Sequence, residues 1–194
     1  MIIAITGHKQ AGKNTIAEML INIAQLYGIE FECHSFAYKL KQITSILTDC
    51  KLSDLENNKF KETKYIPEFL FPFLQEGDTP NYRTFLQRFG TDILRKYNTD
   101  LWIDSILNSY NNTQNWIITD TRFENEAKRI KEIDLNSIII KIVRPDNQEI
   151  DNHSSETSID CINEDITIIN DGTIQDLQKK VLNIWSQIYN TIHC

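Results

Sequence analysis

A glycine-rich stretch near the start of the chain has the residue types that bind phosphate. The stretch GHKQAGKNT follows the apolar run Ile2–Thr6 and precedes a segment with helical periodicity. A loop between a strand and a helix exposes several backbone N–H groups, and the helix dipole adds partial positive charge there. Gly7 and Gly12 permit the tight turn, and Lys13 can reach the β- and γ-phosphates of a nucleotide. The stretch therefore predicts a nucleotide-binding loop, with an ordinary glycine-containing turn as the alternative.

The end of this loop departs from the usual pattern GxxxxGK[ST]. Asn14 follows the lysine where a serine or threonine is expected, and Thr15 comes one place later. Because the usual hydroxyl binds magnesium, that task falls to Asn14, to Thr15 or to water. The alternative is that Asn14 caps the following helix.

Asp120 and Arg122 form a second group of charged residues. They come directly after the apolar run Trp116–Thr119, and open α/β folds bind ligands at the carboxyl ends of their strands. An acid there can hold or orient magnesium, and an arginine there can neutralise charge on a transferred phosphoryl group. The alternative is that Asp120 caps the next helix and that Arg122 is a surface charge.

Three arginines lie in the segment TPNYRTFLQRFGTDILRKY, which has helical periodicity. Arg88 and Arg95 are seven residues apart and can share one face of a helix, while Arg83 and Gln87 form an i, i+4 pair. Kinases of small phosphorylated molecules need arginines to hold a second anion. The arginines therefore favour a kinase, with a solvated amphipathic helix as the alternative.

The order of the apolar patterns predicts an α/β fold, a parallel sheet flanked by helices. Strands are expected at Ile2–Thr6, Ile29–Cys33 and Trp116–Thr119, and in the runs SIIIKIV and ITIIND. Helices are expected with Ile16, Leu20, Ile23 and Tyr27 on one face, at Phe36–Leu47 with Leu40, Ile43 and Leu47 inward, around Ala127, Ile130 and Ile133, and in GTIQDLQKKVLNIWSQIY.

Length and composition predict a single domain over residues 1–194. The weakly patterned and helical part from about residue 48 to 110 suits a helical substrate-binding insertion over a cleft. The part from about 145 to 165 is rich in acidic residues and contains no lysine or arginine, so a solvated loop or flap is expected. His153 and Glu156 in this part make a poor metal site.

Composition also argues against several classes of protein. No apolar run approaches the roughly 20 residues that cross a bilayer, and the first residues do not resemble a signal peptide, so a cytoplasmic protein without a membrane partner is expected. The four cysteines contain no CxxC pair, which argues against a disulfide framework and a zinc site. The formal net charge of -7 argues against a general nucleic-acid binder.

Five motifs, taken in order, resemble the deoxynucleoside monophosphate kinases of large bacteriophages and related viruses. They are GHKQAGKNT, LQRFGTD followed by Arg95 and Trp102, ITDTRFENEA, HSSE and INDGTIQDL. The similarity runs from Met1 to about Val181, and DTRFENEA is its most specific element. The resemblance implies an adenylate-kinase-like P-loop fold that moves the γ-phosphate of ATP to a deoxynucleoside monophosphate with magnesium. For a viral protein the implied location is the host cytoplasm.

The resemblance also implies roles for individual residues. The donor ATP would be held by Gln10, Ala11, Gly12, Lys13, Asn14 and Thr15. The monophosphate substrate would be met by Lys9, Arg83 and Gln87. Arg88 and Trp102 are further candidates, although an aromatic residue such as Trp102 in a helical segment is more often part of the core. The catalytic candidates are Lys13, Arg95, Asp120 and Arg122, and the magnesium candidates are Asn14, Thr15 and Asp120.

Two departures and two alternatives accompany this interpretation. The family commonly has an acid at the place of Asn14 and an arginine at the place of Gln10, so metal and ATP binding are the affected steps. Animal-type phosphomevalonate kinase is a second resemblance, but FENEA after Arg122 and the segment LQRFGTD suit the nucleotide kinases better. The other alternative is a protein that binds nucleotide without turnover. Related enzymes often pair, so a homodimer is also considered.

Overall fold

Two compact units make up the chain, for which the computed structural model describes residues 1–145 and 153–193. The first unit comprises Met1–Ser35 and Ile106–Cys194, and the second comprises Phe36–Ser105. Among the described residues, no helix has both the length and the apolar character required to span a membrane.

A five-stranded, wholly parallel sheet forms the centre of the first unit. Its strands are β1 (Ile2–Thr6), β2 (Glu32–His34), β3 (Trp116–Ile118), β4 (Ile138–Val143) and β5 (Ile166–Ile169), in the order β2-β3-β1-β4-β5. Every residue of the central strand β1 is buried, as expected when crossover helices cover both faces of a parallel sheet. The predicted α/β fold with a parallel sheet and flanking helices is therefore confirmed.

Helices connect these strands and build the second unit. The α-helices of the described residues are α1 (Lys13–Leu26), α2 (Tyr38–Thr48), α3 (Leu52–Glu56), α4 (Asn58–Thr63), α5 (Tyr82–Gln87), α6 (Leu101–Leu107), α7 (Glu124–Ile133), α8 (Ser154–Thr157) and α9 (Ile174–His193). Glu68–Phe73 and Ser158–Cys161 are 3₁₀ turns, and Arg88–Arg95 continues α5 as a π-helical segment.

One apolar core joins α1 and α9 to the sheet in the first unit. Ile16 and Leu20 from α1 and Val181 and Trp185 from α9 are buried in it, and α7 packs against β1. The predicted inward face of α1 is correct except for Tyr27, which follows the helix and is 55% exposed. The chain enters β2 at Glu32, later than the apolar pattern suggested.

A separate apolar core holds the second unit together. It consists of Leu55, Ile66, Leu70, Tyr82 and Phe85. The unit also contains α2, in which the expected inward face is only partly correct.

The buried residues of α2 are Leu40 and Thr44, whereas Ile43 and Leu47 are exposed. The hydroxyl of Thr44 donates to the carbonyl of Leu40 at 2.9 Å, so this polar side chain can be buried at the position where the pattern favoured an isoleucine. Hydrophobic periodicity alone does not reveal such a locally satisfied hydroxyl.

The acidic segment differs from the expected solvated loop where it is described. Residues 146–152 lie outside the described residues, but α8 and the following 3₁₀ turn form an ordered helical stretch. Ser155, Glu156 and Ile159 are buried, and the 3₁₀ turn packs against α7. The expectation of a solvated loop is wrong for this part because an arginine partner compensates the buried acid, as described below.

The burial of β3 between β2 and β1 leads to a prediction about stability. Ile117 is completely buried in the sheet, so Ile117→Ala removes apolar contacts and leaves a cavity. The free energy of unfolding should fall by about 2–5 kcal/mol, measured by urea denaturation. Leu135→Ala is the control, because Leu135 is 89% exposed and its truncation should change the value by less than about 0.5 kcal/mol. Equal losses in the two variants would contradict the position of β3 in the core.

Candidate active site

Three neighbouring strands bring the glycine-rich loop and Asp120 to the same edge of the sheet. In the pairing of β1 with β3, Ala4 lies opposite Ile118, and β1 also pairs with β4. Beyond the end of β3, the N–H of Thr121 donates to the carbonyl of Ile5 at 3.2 Å. The loop after β1 and the segment after β3 therefore leave the sheet side by side.

Two glycines are required for the path of the loop. Gly7 has a φ of 141°, and a Cβ atom there would lie 2.5 Å from the carbonyl oxygen of Ile142 in β4. Gly12 has a φ of 104° and is the N-cap residue of α1, and a Cβ atom there would lie 2.8 Å from the Nδ2 atom of Asn170. Gly7 combines a positive φ with close packing against a backbone atom, which a residue with a side chain does not tolerate. At Gly12 the positive φ is the main constraint, because the atom it meets is the end of a flexible side chain.

Lys13 places its ammonium group against the loop itself. Its Nζ atom donates to the carbonyl of Gly7 at 2.7 Å and to the carbonyl of His8 at 2.8 Å. The loop thus holds a cation at the amino end of a 14-residue helix, where the helix dipole also favours anions. This is the environment that a polyphosphate requires.

The loop is anchored from the neighbouring strands by contacts that the sequence did not reveal. Asn170, directly after β5, donates its Nδ2–H to the carbonyl of Ala11 at 2.9 Å. Arg144, after β4, donates from Nη1 to the carbonyl of Gln10 at 3.4 Å. Gln10 has a φ of 61°, a strained conformation for a residue with a side chain.

Asn14 does not cap α1. The helix begins at Lys13 with Gly12 as the N-cap residue, so Asn14 is the second helical residue and the capping alternative is wrong. Asn14 is exposed and Thr15 is half-buried. Both therefore follow Lys13 on the first turn of the helix, and Asn14 keeps its amide open to solvent.

Asp120 is oriented by the end of β2. Its Oδ2 atom accepts a hydrogen bond from the hydroxyl of Ser35 at 3.0 Å. The alternative that Asp120 caps the next helix is wrong, because α7 begins four residues later at Glu124. The capping carboxylate is instead that of Glu126, which accepts the N–H of Phe123 at 3.1 Å. An acid three positions into a helix was the sequence signal for this contact.

Arg122 is held by two buried acids, so the alternative of a plain surface charge is also wrong. Its backbone N–H donates to Glu126 Oε2 at 2.7 Å. Its guanidinium Nη1 donates to the carbonyl of Ser155 at 3.2 Å and forms an ion pair with Glu156 Oε1. Glu156 Oε2 also accepts the backbone N–H of Lys9 at 2.9 Å, which ties α8 to the glycine-rich loop.

His153 and Glu156 serve different purposes. His153 is the N-cap residue of α8, and its Nδ1 accepts the N–H of Ser155 at 3.2 Å.

Among the described residues, no group of three or more His, Cys, Asp and Glu side chains is placed to hold a metal ion. Cys33, Cys50 and Cys161 form no disulfide in the described chain.

Arg83 and Arg88 contact acids of their own unit. Arg83 Nη2 lies 3.0 Å from Asn58 Oδ1 and 3.4 Å from Glu62 Oε1. Arg88 bonds both carboxylate oxygens of Asp78, from Nε at 2.8 Å and from Nη2 at 2.9 Å, and bonds Asp92 from Nη1 at 2.6 Å. These hydrogen bonds raise the pKa of Arg88 above its ordinary value. Binding of substrate by Arg88 would require these bonds to break.

The π-helical segment changes how the remaining predicted residues are arranged. Residues seven positions apart, such as Arg88 and Arg95, share one face in an α-helix. In a π-helix the i→i+5 hydrogen bonds change the number of residues per turn, so this spacing no longer predicts a shared face. Arg95 is buried and donates from Nη1 to the carbonyl of Thr99 at 2.8 Å. Trp102 is also buried, and its indole N–H donates to the carbonyl of Gly90 at 3.0 Å. This contact fits the core alternative for Trp102. Gln87 is half-buried at the end of α5.

The predicted residues therefore divide between the two units. The first unit brings together the loop residues Lys9, Gln10, Ala11, Gly12, Lys13, Asn14 and Thr15 with Asp120 and Arg122. The second unit carries Arg83, Gln87, Arg88, Arg95 and Trp102.

A strand, a glycine-rich loop, a helix and an acid after the neighbouring strand define the fold of P-loop nucleotide-binding proteins. Comparison with solved structures agrees on the fold. Kti12 from Chaetomium thermophilum, solved in complex with ADP-AlF3, aligns with a TM-score of 0.51 and 10% identity over 97% of this chain and 99% of that one.

Sequence comparison then identifies the family. The family description "Deoxynucleotide monophosphate kinase" matches residues 34–181. A protein of Acanthamoeba polyphaga mimivirus, provisionally named as such a kinase, is 33% identical over 94% of this chain and 95% of its own length. The deoxynucleotide monophosphate kinase of Enterobacteria phage T4 is 28% identical over 55% of this chain and 46% of its own length.

The chain belongs to the deoxynucleotide monophosphate kinase family. It is accordingly a nucleotide kinase, an enzyme that transfers a phosphoryl group to a phosphate acceptor. The family that the sequence motifs resemble and the expected enzyme class are both confirmed. The phosphomevalonate kinase alternative is not favoured.

The close approach of Gly7 to β4 leads to a second prediction about the free energy of unfolding. Gly7→Ala places a methyl group against a backbone carbonyl in a strained conformation, so the free energy of unfolding should fall by about 3 kcal/mol or more. The matched control is Gly28→Ala, which has a φ of 71° but no atom within 4 Å of the new Cβ. The free energy of unfolding of Gly28→Ala should fall by about 1–2 kcal/mol, from backbone strain alone. Guanidinium denaturation of both variants measures the difference, and a Gly28 variant as unstable as the Gly7 variant would count against the close packing.

Proposed function

We propose that the enzyme transfers the γ-phosphate of ATP to a deoxynucleoside monophosphate and releases ADP and the deoxynucleoside diphosphate. The observation that carries this proposal is the position of Lys13, Asp120 and Arg122 at one edge of the sheet, beside the amino end of α1. A donor polyphosphate in the loop would meet a cation, an acid and an arginine in one place.

The acceptor is a phosphate anion at neutral pH, so the reaction needs no strong general base. An oxygen of the acceptor phosphate forms a bond to the γ-phosphorus, while the bond from that phosphorus to the β,γ-bridging oxygen breaks. The protein contributes by positioning the two anions and by neutralising the charge between them. Each residue role is therefore electrostatic.

The residues of the first unit would bind the donor. The loop N–H groups from Gln10 to Thr15 and the ammonium of Lys13 would hold the β- and γ-phosphates. Lys9 would meet the acceptor phosphate, and Arg122 would face the charge that develops during transfer. For Lys13 this requires its ammonium to exchange the loop carbonyls for phosphate oxygens.

The chemistry of the available donors fits magnesium. Asn14, Thr15 and Asp120 offer an exposed amide, a hydroxyl and a carboxylate, all of them oxygen ligands. Magnesium usually keeps several waters and takes one or two carboxylates plus substrate phosphates, so one acid at the site is enough. When bound, the ion neutralises charge on the donor phosphates. Ser35 fixes the direction of the Asp120 carboxylate that would hold the ion or its waters.

The residues of the second unit are proposed for the acceptor nucleotide. Arg83 and Gln87 would bind the monophosphate, and Arg95 would bind phosphate, as the family resemblance implies. Arg88 and Trp102 remain weaker candidates, because Arg88 is held by two acids and Trp102 by the carbonyl of Gly90.

We further propose that the partners are free nucleotides rather than nucleic acid, which the net charge of -7 supports. Cysteines without a CxxC pair suit a reducing compartment such as the cytoplasm. Light scattering of the purified protein tests for the homodimer that the resemblance admits.

The acceptor and the role of Lys13 can be tested together. The purified protein is mixed with ATP, magnesium and each deoxynucleoside monophosphate in turn, with mevalonate phosphate in parallel, and ADP is measured. Wild-type protein should give ADP with at least one deoxynucleotide. Lys13→Ala should lower kcat about 100-fold or more, because it removes a cation from the transferring phosphates, while the unfolding midpoint changes little.

Lys179→Ala is the control, because Lys179 lies in α9 with its side chain 76% exposed and should leave kcat unchanged. The proposed substrate would be refuted if ADP formed only with mevalonate phosphate. It would also be refuted if ADP formed with none of the acceptors. Full activity of Lys13→Ala would refute the assignment of the loop.

Asp120→Asn tests the proposed magnesium site. Losing the carboxylate charge should raise the magnesium concentration for half-maximal activity about 10-fold or more, measured by titration with the metal. Asp104→Asn, at an exposed position of α6, should show the wild-type magnesium dependence. If the Asp120 variant titrates like wild type, the acid does not act through the metal.

A further inference from the structure

Glu156 is a buried acid whose carboxylate contacts several residues of the first unit. Its side chain is 4% exposed, and its two carboxylate oxygens contact different parts of the unit. Oε2 accepts the N–H of Lys9 in the phosphate loop, and Oε1 contacts Arg122. His8 Nδ1 lies 4.0 Å from the same Oε2 atom. One buried charge therefore links the loop to Arg122.

Arg122 is fixed along one edge of its guanidinium group. The contacts of this group with the described residues involve Nη1, which meets the carbonyl of Ser155 and Glu156. The guanidinium carries five N–H donors in a planar fork, so Nε and Nη2 can face a phosphate while Nη1 keeps its protein partners. The backbone of the same residue is held independently by Glu126.

We propose that Glu156 is a positioning residue for phosphoryl transfer, acting through Arg122 and the backbone of Lys9. The inference rests on the proposed role of Arg122 at the transferring phosphate. Glu156 sets the distance between the arginine and the loop and directs the other guanidinium edge toward the ligand, without touching a reacting atom.

The energetics of buried charge support a geometric role. Glu156 is buried and the Arg122 side chain is 25% exposed, so desolvation offsets part of the attraction between them. Such a pair often stabilises a fold no more than apolar residues of similar volume would. What the pair does supply is direction, because a charge-assisted hydrogen bond restrains the plane of the guanidinium. A displacement of about 1 Å in a catalytic group can cost about 100-fold in rate.

The neighbouring acid Asp160 provides a contrast within the same segment. It is 64% exposed and lies 3.4 Å from His8 Nε2 and 3.5 Å from Lys141 Nζ. It has no described contact with Arg122. Asp160→Asn is therefore the matched control, since it removes one negative charge from the segment without altering the environment of Arg122.

Steady-state kinetics of Glu156→Gln and Glu156→Asp give the first test. Glu156→Gln keeps the shape but loses the charge, so kcat should fall about 10-fold or more while KM for both nucleotides changes less than about 3-fold, as expected for an interaction realised in the transition state. Glu156→Asp, which keeps the charge on a shorter side chain, should recover part of kcat. Asp160→Asn should retain the wild-type kcat. Unchanged kcat in Glu156→Gln, or an equal loss in Asp160→Asn, would overturn the proposal.

A double-mutant cycle with Arg122→Ala gives the second test. If Glu156 acts mainly through Arg122, Glu156→Gln should slow Arg122→Ala much less than it slows the wild type, any remaining loss coming from the contact with the backbone of Lys9. Two effects that multiply in full would overturn the inference. Wild-type kcat in Arg122→Ala would overturn the role of Arg122 and the inference with it. A slow Arg122→Ala with a fully active Glu156→Gln would overturn the inference and leave the proposed kinase site standing. Urea unfolding of each variant confirms that the comparison is between folded proteins.

Discussion

Parallel pairing of β1 with β3 on one side and β4 on the other is the constraint on which the site depends. Three strands that run in the same direction must end at the same edge, and the residues that follow them become neighbours. The glycine-rich loop after β1 lies beside Asp120 after β3 for this reason. The same pairing presses the loop against the carbonyl of Ile142 in β4, which only glycine at position 7 allows.

Two buried acids position Arg122 beside the glycine-rich loop. The protein is acidic overall, yet its reaction brings two phosphate anions together, and the local charge must oppose the net charge. Glu126 and Glu156, both buried, hold the backbone and the guanidinium of Arg122. Arg88 in the second unit differs from Arg122, because two acids engage all three nitrogens of its guanidinium group.

Patterns local in sequence predicted the elements well. The parallel sheet, the loop around Lys13 and the helix after Arg122 follow from apolar periodicity and from the position of glycines, since both act within a few residues. Errors arose where a long-range partner or an unusual helix decided the outcome. The spacing of Arg88 and Arg95 allows one shared face in an α-helix, but this segment is π-helical. In the segment expected to be a solvated loop or flap, the acid Glu156 is buried and forms an ion pair with Arg122.

By itself the sequence determined the order of strands and helices, the position of the glycine-rich loop and the family, because these depend on short motifs in a fixed order. It also placed Asp120 after a buried strand. Only the tertiary structure decided that Asn170 anchors the loop and that Glu156 pairs with Arg122. Each of these contacts joins residues at least 30 positions apart, and no local pattern specifies which distant side chain will fill a given place. Packing of the parallel strands made that choice.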